Sequence, residues 1–466
     1  MNEVITSRKN LIILSAAGAL AAAVVNPLIS LAVLSFILLL SYSFKYNTNA
    51  VVFSVIAAYL LITDSLGETV RNAVNLAGLL ILAGMFLKEY SFQPNRFPRI
   101  SGRIAAFAAM AILSMLLSSY FSEAPLKTFI VTFRQVIFFV ICYLIYSFTR
   151  DLKSVHYNIA ALQLVALVLG IAMSYELIKQ GYAVFLIQSN SFVRLSGLYN
   201  NPNSIGLVYT VSMPLFLPFV RKYKNKSMRI FTRLMLLFFA AILLLTNSRA
   251  SMIAVIIASG YYLYVTNRRL FGRISLIAAG IMFVLFFVPP FSDYMMLFMR
   301  VDRIFATTRN SFWEVAISII KANPLLGVGP EMFPDNIFRY LPVPLDSFDA
   351  HQMWNARTGT AHNFYLFRLA ELGIPGLAAG LYLIYLFFSY SSRALRENRN
   401  AEHFRTVLSF RCAGLGIVAR SFLESNGILT HGWLTRDLPF WLVFISLVAF
   451  YDNIIRKKQD ISYEPK

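Results

Sequence analysis

The chain has 466 residues, 58% of them hydrophobic and only 14% charged, with a mean hydropathy of +0.63. A soluble domain carries about 25% charged residues; here lipid must replace the missing polar surface, which excludes a soluble globular fold. The formal net charge of +20 does not point to nucleic acid, because lysine and arginine sit in short segments between apolar runs, where they set membrane topology.

A membrane-spanning helix needs about 20 mostly apolar residues. Such runs lie, in chain order, near 11–25, 27–44, 49–64, 72–87, 104–120, 128–148, 155–177, 201–219, 229–246, 249–266, 272–289, 362–390, 406–423 and 434–452. The opening residues, Met1 to Asn10, have no convincing cleavage site after them and read as the start of a retained first helix. The first two runs are short and break at Asn26-Pro27. Cys142 and Cys412 fall inside apolar runs and read as packed core thiols. The expected fold class is therefore all-α, a polytopic transmembrane helical bundle of about 12–14 spans.

The basic residues fall on alternate loops. One set holds Arg8-Lys9, Lys45, the 88–103 stretch, Arg150 with Lys153, the 221–224 cluster, Arg268-Arg269, the 393–405 stretch and Arg456-Lys457-Lys458. The other holds scattered charges such as Arg71, Lys127, Lys179 and Arg194. That asymmetry puts both termini in the cytoplasm. Two long loops then lie outside, at 180–201 and 290–361. In the second, Trp313, Ala316, Ile317 and Ile320 share one helical face and Asn323-Pro324 ends the run. Upstream, Phe298, Val301, Ile304 and Phe305 alternate with Arg300, Arg303 and Arg309, a segment suited to lying flat on the membrane.

Ionisable residues at membrane depth are costly and mark function. Those that matter gather at the outer ends of spans. Arg194 precedes Asn201-Pro202-Asn203, where Asn201 is placed to cap a helix and Pro202 to occupy its first position. Thr246-Asn247-Ser248-Arg249 makes a very short outer turn. Arg309 and Trp313 lie in the large loop, and His362-Asn363 opens the span at 362–390. Arg368 and Glu371, three residues apart on that span, are placed to pair. The spans starting near 201, 249 and 362 turn their positive N-terminal ends outward. With Arg194, Arg249 and Arg309 they suit an anion, since a guanidinium grips phosphate oxygens through two hydrogen bonds. No carboxylate or histidine pair in the outer loops has metal-ligand spacing, and Gly327-Val328-Gly329-Pro330 reads as a turn rather than a nucleotide loop.

The strings Arg194…Gly197…Asn201-Pro202-Asn203, Thr246-Asn247-Ser248-Arg249, Arg309…Trp313…Pro324-Leu325-Leu326-Gly327-Val328-Gly329 and Ala361-His362-Asn363…Glu371-Leu372-Gly373-Ile374-Pro375-Gly376 occur in this order. Together, over roughly 190–390, they resemble the O-antigen ligase and O-antigen polymerase family (WaaL and Wzy type). The resemblance divides the chain into N-terminal transmembrane helices (1–190), a ligase-like core with the extracytoplasmic loop 290–361 (191–390), and C-terminal helices with a cytoplasmic tail (391–466).

The resemblance implies a multi-pass glycosyltransferase of the cytoplasmic (inner) membrane with its active site facing the periplasm. It would take an undecaprenyl-diphosphate-linked glycan as donor and need no metal, nucleotide or other cofactor. The acceptor would be another glycan or a lipid A-core type lipid, as in lipopolysaccharide or exopolysaccharide synthesis, with room for a chain-length regulator as partner. By analogy Arg249 and Arg309 hold the diphosphate and His362 acts at the acceptor hydroxyl; Arg194, Asn203, Trp313 and Asn363 belong to the substrate-binding surround. The chemistry is compatible. Guanidinium groups and helix N-termini can stabilise the leaving diphosphate without a cation. A histidine, ordinarily titrating at about 6.5, can accept the hydroxyl proton near neutral pH, and attack opposite the leaving group inverts the anomeric carbon. The competing class is a lipid-linked glycan transporter or flippase without chemistry, resting on Arg134, Arg411 and Arg420 within spans.

Overall fold

The computed structural model describes residues 48–62, 67–90, 98–181, 187–188, 191–192, 194–199, 201–222, 226–289, 291–292, 308–340, 359–398 and 401–456. The expected spans at 11–25 and 27–44, and the loop segment carrying Phe298, Arg300, Val301, Arg303, Ile304 and Phe305, lie outside the described residues.

Every span expected from residue 49 onward has a helix over it. In chain order these are α1 (Thr48–Leu61), α2 (Glu68–Tyr90), α3 (Gly102–Tyr120), α4 (Pro125–Phe148), α5 (Leu152–Gln180), α6 (Pro202–Phe216), α7 (Lys226–Leu245), α8 (Arg249–Thr266) and α9 (Arg268–Phe287). The loop helices α10 (Thr308–Ala322) and α11 (Phe333–Tyr340) follow, then α12 (Phe364–Glu397), α13 (Ala401–Ser421) and α14 (Leu434–Phe450). Among the described residues, nine helices are long and apolar enough to cross a membrane. A two-residue antiparallel pair, Ile187–Gln188 with Ser191–Phe192, stands in the loop after α5.

Helix starts follow their caps. Asp151 and Ser154 form a reciprocal capping box at α5, and Ser101 accepts from Ile104 N at α3. At the other end of the bundle, Asn201 Oδ1 accepts from Asn203 N at 2.8 Å with Pro202 in the first turn, and Asn363 Oδ1 accepts from Leu366 N at 3.0 Å. The centre is α14, buried continuously from Asp437 to Phe450, whose Trp441 meets the rings of Phe107, Phe138, Phe139 and Phe444. At the other extreme, α9 is apolar and has no buried residue, as expected of a helix facing lipid. Cys142 and Cys412 are free, buried thiols.

Helices α10 and α11 of the large loop pack as a cap on the first turns of α12. Phe312, Val315, Ala316 and Ile319 of α10 join Phe333, Ile337, Phe367 and Ala370 in a small separate core. This corrects the expected face: Ile317 is 42% exposed and Trp313 only half-buried, so the stripe is offset by one residue. Phe312 and Trp313 are both apolar, and periodicity alone cannot choose between adjacent stripes.

The Gly373-Ile374-Pro375 kink locks this cap down. Pro375 has no N–H for the Glu371 carbonyl, and Gly373 leaves helical geometry at φ 61°. The freed carbonyls find donors elsewhere: Gly329 N (2.9 Å) and Ser118 Oγ (2.9 Å) bond Glu371 O, and Val328 N (3.1 Å) bonds Ala370 O. Ile374 N in turn donates to Pro324 O at 3.2 Å. A Cβ on Gly373 would sit 2.1 Å from Leu325 O, and one on Gly327 (φ 69°) 2.3 Å from the Glu371 carbonyl carbon. Gly373→Ala or Gly327→Ala should therefore cost about 2 kcal/mol or more. Gly84→Ala, with nothing within 4 Å on α2, should be neutral or stabilising. Thermal melting in detergent checks the contrast; equal midpoints for all three variants would refute the interlock.

Candidate active site

The N-termini of α6, α8 and α12, the 194–199 segment and the 246–248 turn meet at one end of the bundle, and the loop 422–433 between α13 and α14 crosses them. Arg194 Nε donates to Thr246 O at 3.1 Å and its Nη2 to Asn203 Oδ1 at 2.7 Å. Asn203 Nδ2 passes the chain on to Glu424 Oε1 at 2.9 Å. The 194–199 segment is held to α5 by Glu176, whose carboxylate accepts from Ser196 N and Gly197 N at 3.1 and 2.6 Å. Arg420, 1% exposed in the last turn of α13, ties three elements together. It donates to Ser251 Oγ (3.2 Å), Asn426 O (2.7 Å) and Asn203 O (2.9 Å).

His362 stands just before α12, in left-handed backbone at φ 47°, which turns its ring toward the loop. Its Nδ1 lies 3.4 Å from Glu424 Oε2, and its ring stacks on Phe312 at 6.0 Å between centroids. The imidazole is 26% exposed and Glu424 only 4%. An ionised Glu424 makes Nδ1 the donor and leaves the Nε2 lone pair available, the arrangement of a base oriented by a carboxylate. Glu424 was not among the residues expected from the sequence.

The other expected residues take varied places. Arg249 opens α8 and is half-buried, two residues before Ser251. Asn363 serves structure: it caps α12, sends Nδ2 to Phe422 O at 3.1 Å and takes Ser425 Oγ on its backbone N–H at 3.2 Å. Trp313 lies on α10, and its buried indole N–H has no hydrogen-bond partner among the described residues. The Arg309 backbone belongs to the first turn of α10, while its side chain lies outside the described residues.

A second network lies behind the first and overturns one expectation. Glu371 does not hydrogen-bond Arg368. Its carboxylate meets His431 Nε2 and accepts from Phe333 N at 3.1 Å, whereas Arg368 is fully buried with no hydrogen-bond partner among the described residues. The kink and the incoming loop bring His431 closer to Glu371 than its helix neighbour. Burial first, then the charge of Arg368, pushes the His431 pKa below its ordinary value. Arg134 also leaves the mid-membrane role considered for it: it bonds Glu331 and sends Nε to His431 O at 2.8 Å. Glu331 also accepts from Trp433 Nε1 at 2.5 Å. Burial works to raise the Glu331 pKa, but Arg134, His431 and these hydrogen bonds together hold it below the usual carboxylate value. Arg411 lies midway along α13 and donates to Ser392 Oγ, near the far end of α12, at 2.7 Å.

In comparison with known families, residues 234–381 fit the family described as O-antigen ligase. The stretch contains Arg249, Arg309, Trp313, His362 and Asn363 and stops short of Arg194, Asn203, Arg420 and Glu424. No curated protein matches the chain.

Proposed function

We propose that this helical membrane protein, which carries an O-antigen ligase domain, moves a glycan from an undecaprenyl-diphosphate donor onto a glycan or lipid acceptor at the outer face of the cytoplasmic membrane. The observation that carries the reading is the His362–Glu424 pair, linked through Asn203 to Arg194 and set among the N-termini of α6, α8, which Arg249 opens, and α12. Arg103, Arg150, Lys153 and Arg268 stand at or beside helix ends on the opposite side of the bundle, and by the positive-inside rule this supports an outward-facing site.

In this reading Glu424 holds His362 through Nδ1, and Nε2 takes the proton of the acceptor hydroxyl. The hydroxyl oxygen attacks the anomeric carbon, and the bond to the diphosphate oxygen breaks with its electron pair leaving on the diphosphate. Arg249 and Arg309 neutralise the charge that develops there. Attack opposite the leaving group inverts the anomeric configuration. No step requires a metal or a nucleotide. Ligase and polymerase differ only in the acceptor. The transporter reading loses support, because two of its three mid-span arginines, Arg134 and Arg420, are bound into hydrogen-bond networks at the site end.

The test supplies purified protein with an undecaprenyl-diphosphate glycan, candidate acceptors and a chelator, and follows glycan transfer on a gel. Transfer is expected to survive the chelator and to fall about 10²–10³-fold in Arg249→Ala. A donor that crosses vesicle membranes without labelling any acceptor would replace catalysis with transport.

A further inference from the structure

The buried network behind the His362 cluster supports both of the surfaces that His362 leans on. One is Glu424, on the loop 422–433, whose Oε2 lies 3.4 Å from His362 Nδ1. The other is Phe312 of α10, whose ring stacks on the imidazole at 6.0 Å. These two walls come from distant parts of the chain, and their supports meet at Glu371. One oxygen of its carboxylate accepts from Phe333 N at 3.1 Å. Phe333 is the first residue of α11, where a helix N–H has no partner within its own helix. The other oxygen meets His431 Nε2, at the far end of the loop that carries Glu424. Phe333 packs in the same small core as Phe312, so the first bond steadies the cap wall and the second the loop wall.

Stability alone would favour a different pairing. Arg368, three residues earlier on α12, is fully buried with no hydrogen-bond partner among the described residues, and a guanidinium left so destabilises the fold. Yet the carboxylate joins cap to loop instead of satisfying it. The backbone is strained in the same places. Among the described residues, four non-glycine residues have positive φ. Three of them, Glu331 (59°), His362 (47°) and His431 (53°), belong to these two networks, and such strain persists only where the surroundings enforce it. The loop is also fastened on both sides of the His431 ring: Thr430 N donates to Asp437 at 2.6 Å, and Arg134 Nε to His431 O at 2.8 Å. Glu371 and His431 are 0% and 1% exposed, so neither reaches a substrate.

We propose that Glu371 is a positioning residue for the transfer: its carboxylate ties the cap to the loop and so sets the His362 imidazole between Phe312 and Glu424. The inference rests on the transferase reading, in which His362 Nε2 must face the acceptor hydroxyl. A displacement of about 1 Å at a reacting group can lower the rate about 10²-fold. The near end of the loop has fastenings of its own, from Arg420 to Asn426 O and from Asn363 to Phe422 O and Ser425 Oγ. Changing Glu371 therefore frees the far end of the loop and leaves the near end attached.

The full chain in detergent is followed by transfer kinetics and by hydrogen–deuterium exchange of the segments 331–340 and 423–432. Glu371→Ala should lower kcat about 10²-fold with both KM values little changed, and should raise exchange in both segments together. Its loss should vanish in the His362→Ala background, because a residue that acts only through the histidine then has nothing to orient. Glu371→Gln keeps an oxygen for Phe333 N and offers an amide N–H to His431 Nε2, which the ring can accept in its other tautomer. That variant should restore kcat to within about tenfold of wild type. His431→Leu cuts the loop arm alone and leaves α11 capped, which guards against misfolding of Glu371→Ala. Exchange should then rise in 423–432 only, and kcat should fall about tenfold.

A Glu371→Ala loss that multiplies the His362→Ala loss would overturn the proposal, since the carboxylate would then act independently of the histidine. So would exchange unchanged in both segments, which would leave it no part in holding the walls. If wild type labels no acceptor while Glu371→Ala still loosens both segments, the transferase reading falls and the tie between cap and loop stands.

Discussion

His362→Ala should lower kcat for glycan transfer about 10²–10⁴-fold while leaving donor binding and thermal stability close to wild type. The side chain is partly exposed and, among the described residues, makes one polar contact, to Glu424 at 3.4 Å, so its removal strands little inside the protein. Glu424 is different. It is nearly buried and also accepts from Asn203, so Glu424→Gln keeps the shape, retains one acceptor oxygen and removes the charge that fixes the imidazole. That variant should lose less kcat than His362→Ala, and the double variant no more than His362→Ala alone, because the carboxylate acts through the histidine. Single-turnover transfer with saturating donor measures both. Retained turnover in His362→Ala would remove the histidine from the chemistry and with it the mechanism drawn above. Independent, multiplicative losses would mean that Glu424 touches substrate on its own account.

Much of the bundle was legible because its signals are local. Hydropathy placed twelve helices, Asn201-Pro202 marked the start of α6, and Asn323-Pro324 marked the end of α10. The candidate site was legible in part. Arg194, Asn203, Arg249 and His362 were expected at one end of the bundle, and hydrogen bonds through Glu424 and Arg420 do connect that end. What escaped depends on the loop 422–433, whose partners are distant in sequence. Nothing around Glu424 marks it, since it follows an apolar run and acquires a role only when the loop folds over the start of α12. Arg368 and Glu371 show the opposite failure. Their spacing suits a helical pair, but the pairing is worth only about 0.2–0.5 kcal/mol on a helix surface, and a tertiary partner, His431, takes the carboxylate. In Arg420 the error was one of depth. It stands inside an apolar run, yet α13 ends at Ser421, so the residue sits in the last turn where a cation also suits the helix dipole.

That position makes Arg420 the second large effect. Arg420→Ala should lower stability by about 2 kcal/mol or more, because it takes the donor from the buried Asn203 and Asn426 carbonyls, each worth about 1–3 kcal/mol, while the Ser251 hydroxyl keeps its bond to Ser248. Transfer should fall with it: Asn203 links Arg194 to Glu424, and once its backbone is released the orientation of His362 loosens too. Arg420→Lys keeps a charge but cannot reach three elements at once, so it should fall between. Arg411→Ala on the same helix is the control, since its bond to Ser392 lies at the other end of the bundle, and it should cost about 1 kcal/mol or less and leave transfer intact. The measurement is a melting curve in detergent beside the transfer rate for each variant. A combined loss for Arg420→Ala, against a loss of turnover alone for His362→Ala, separates the residue that builds the site from the residue that works in it. If Arg411→Ala instead abolished function while Arg420→Ala melted like wild type, the arginines of α13 would be serving a path through the membrane, and the outer cluster would not be where this protein does its work.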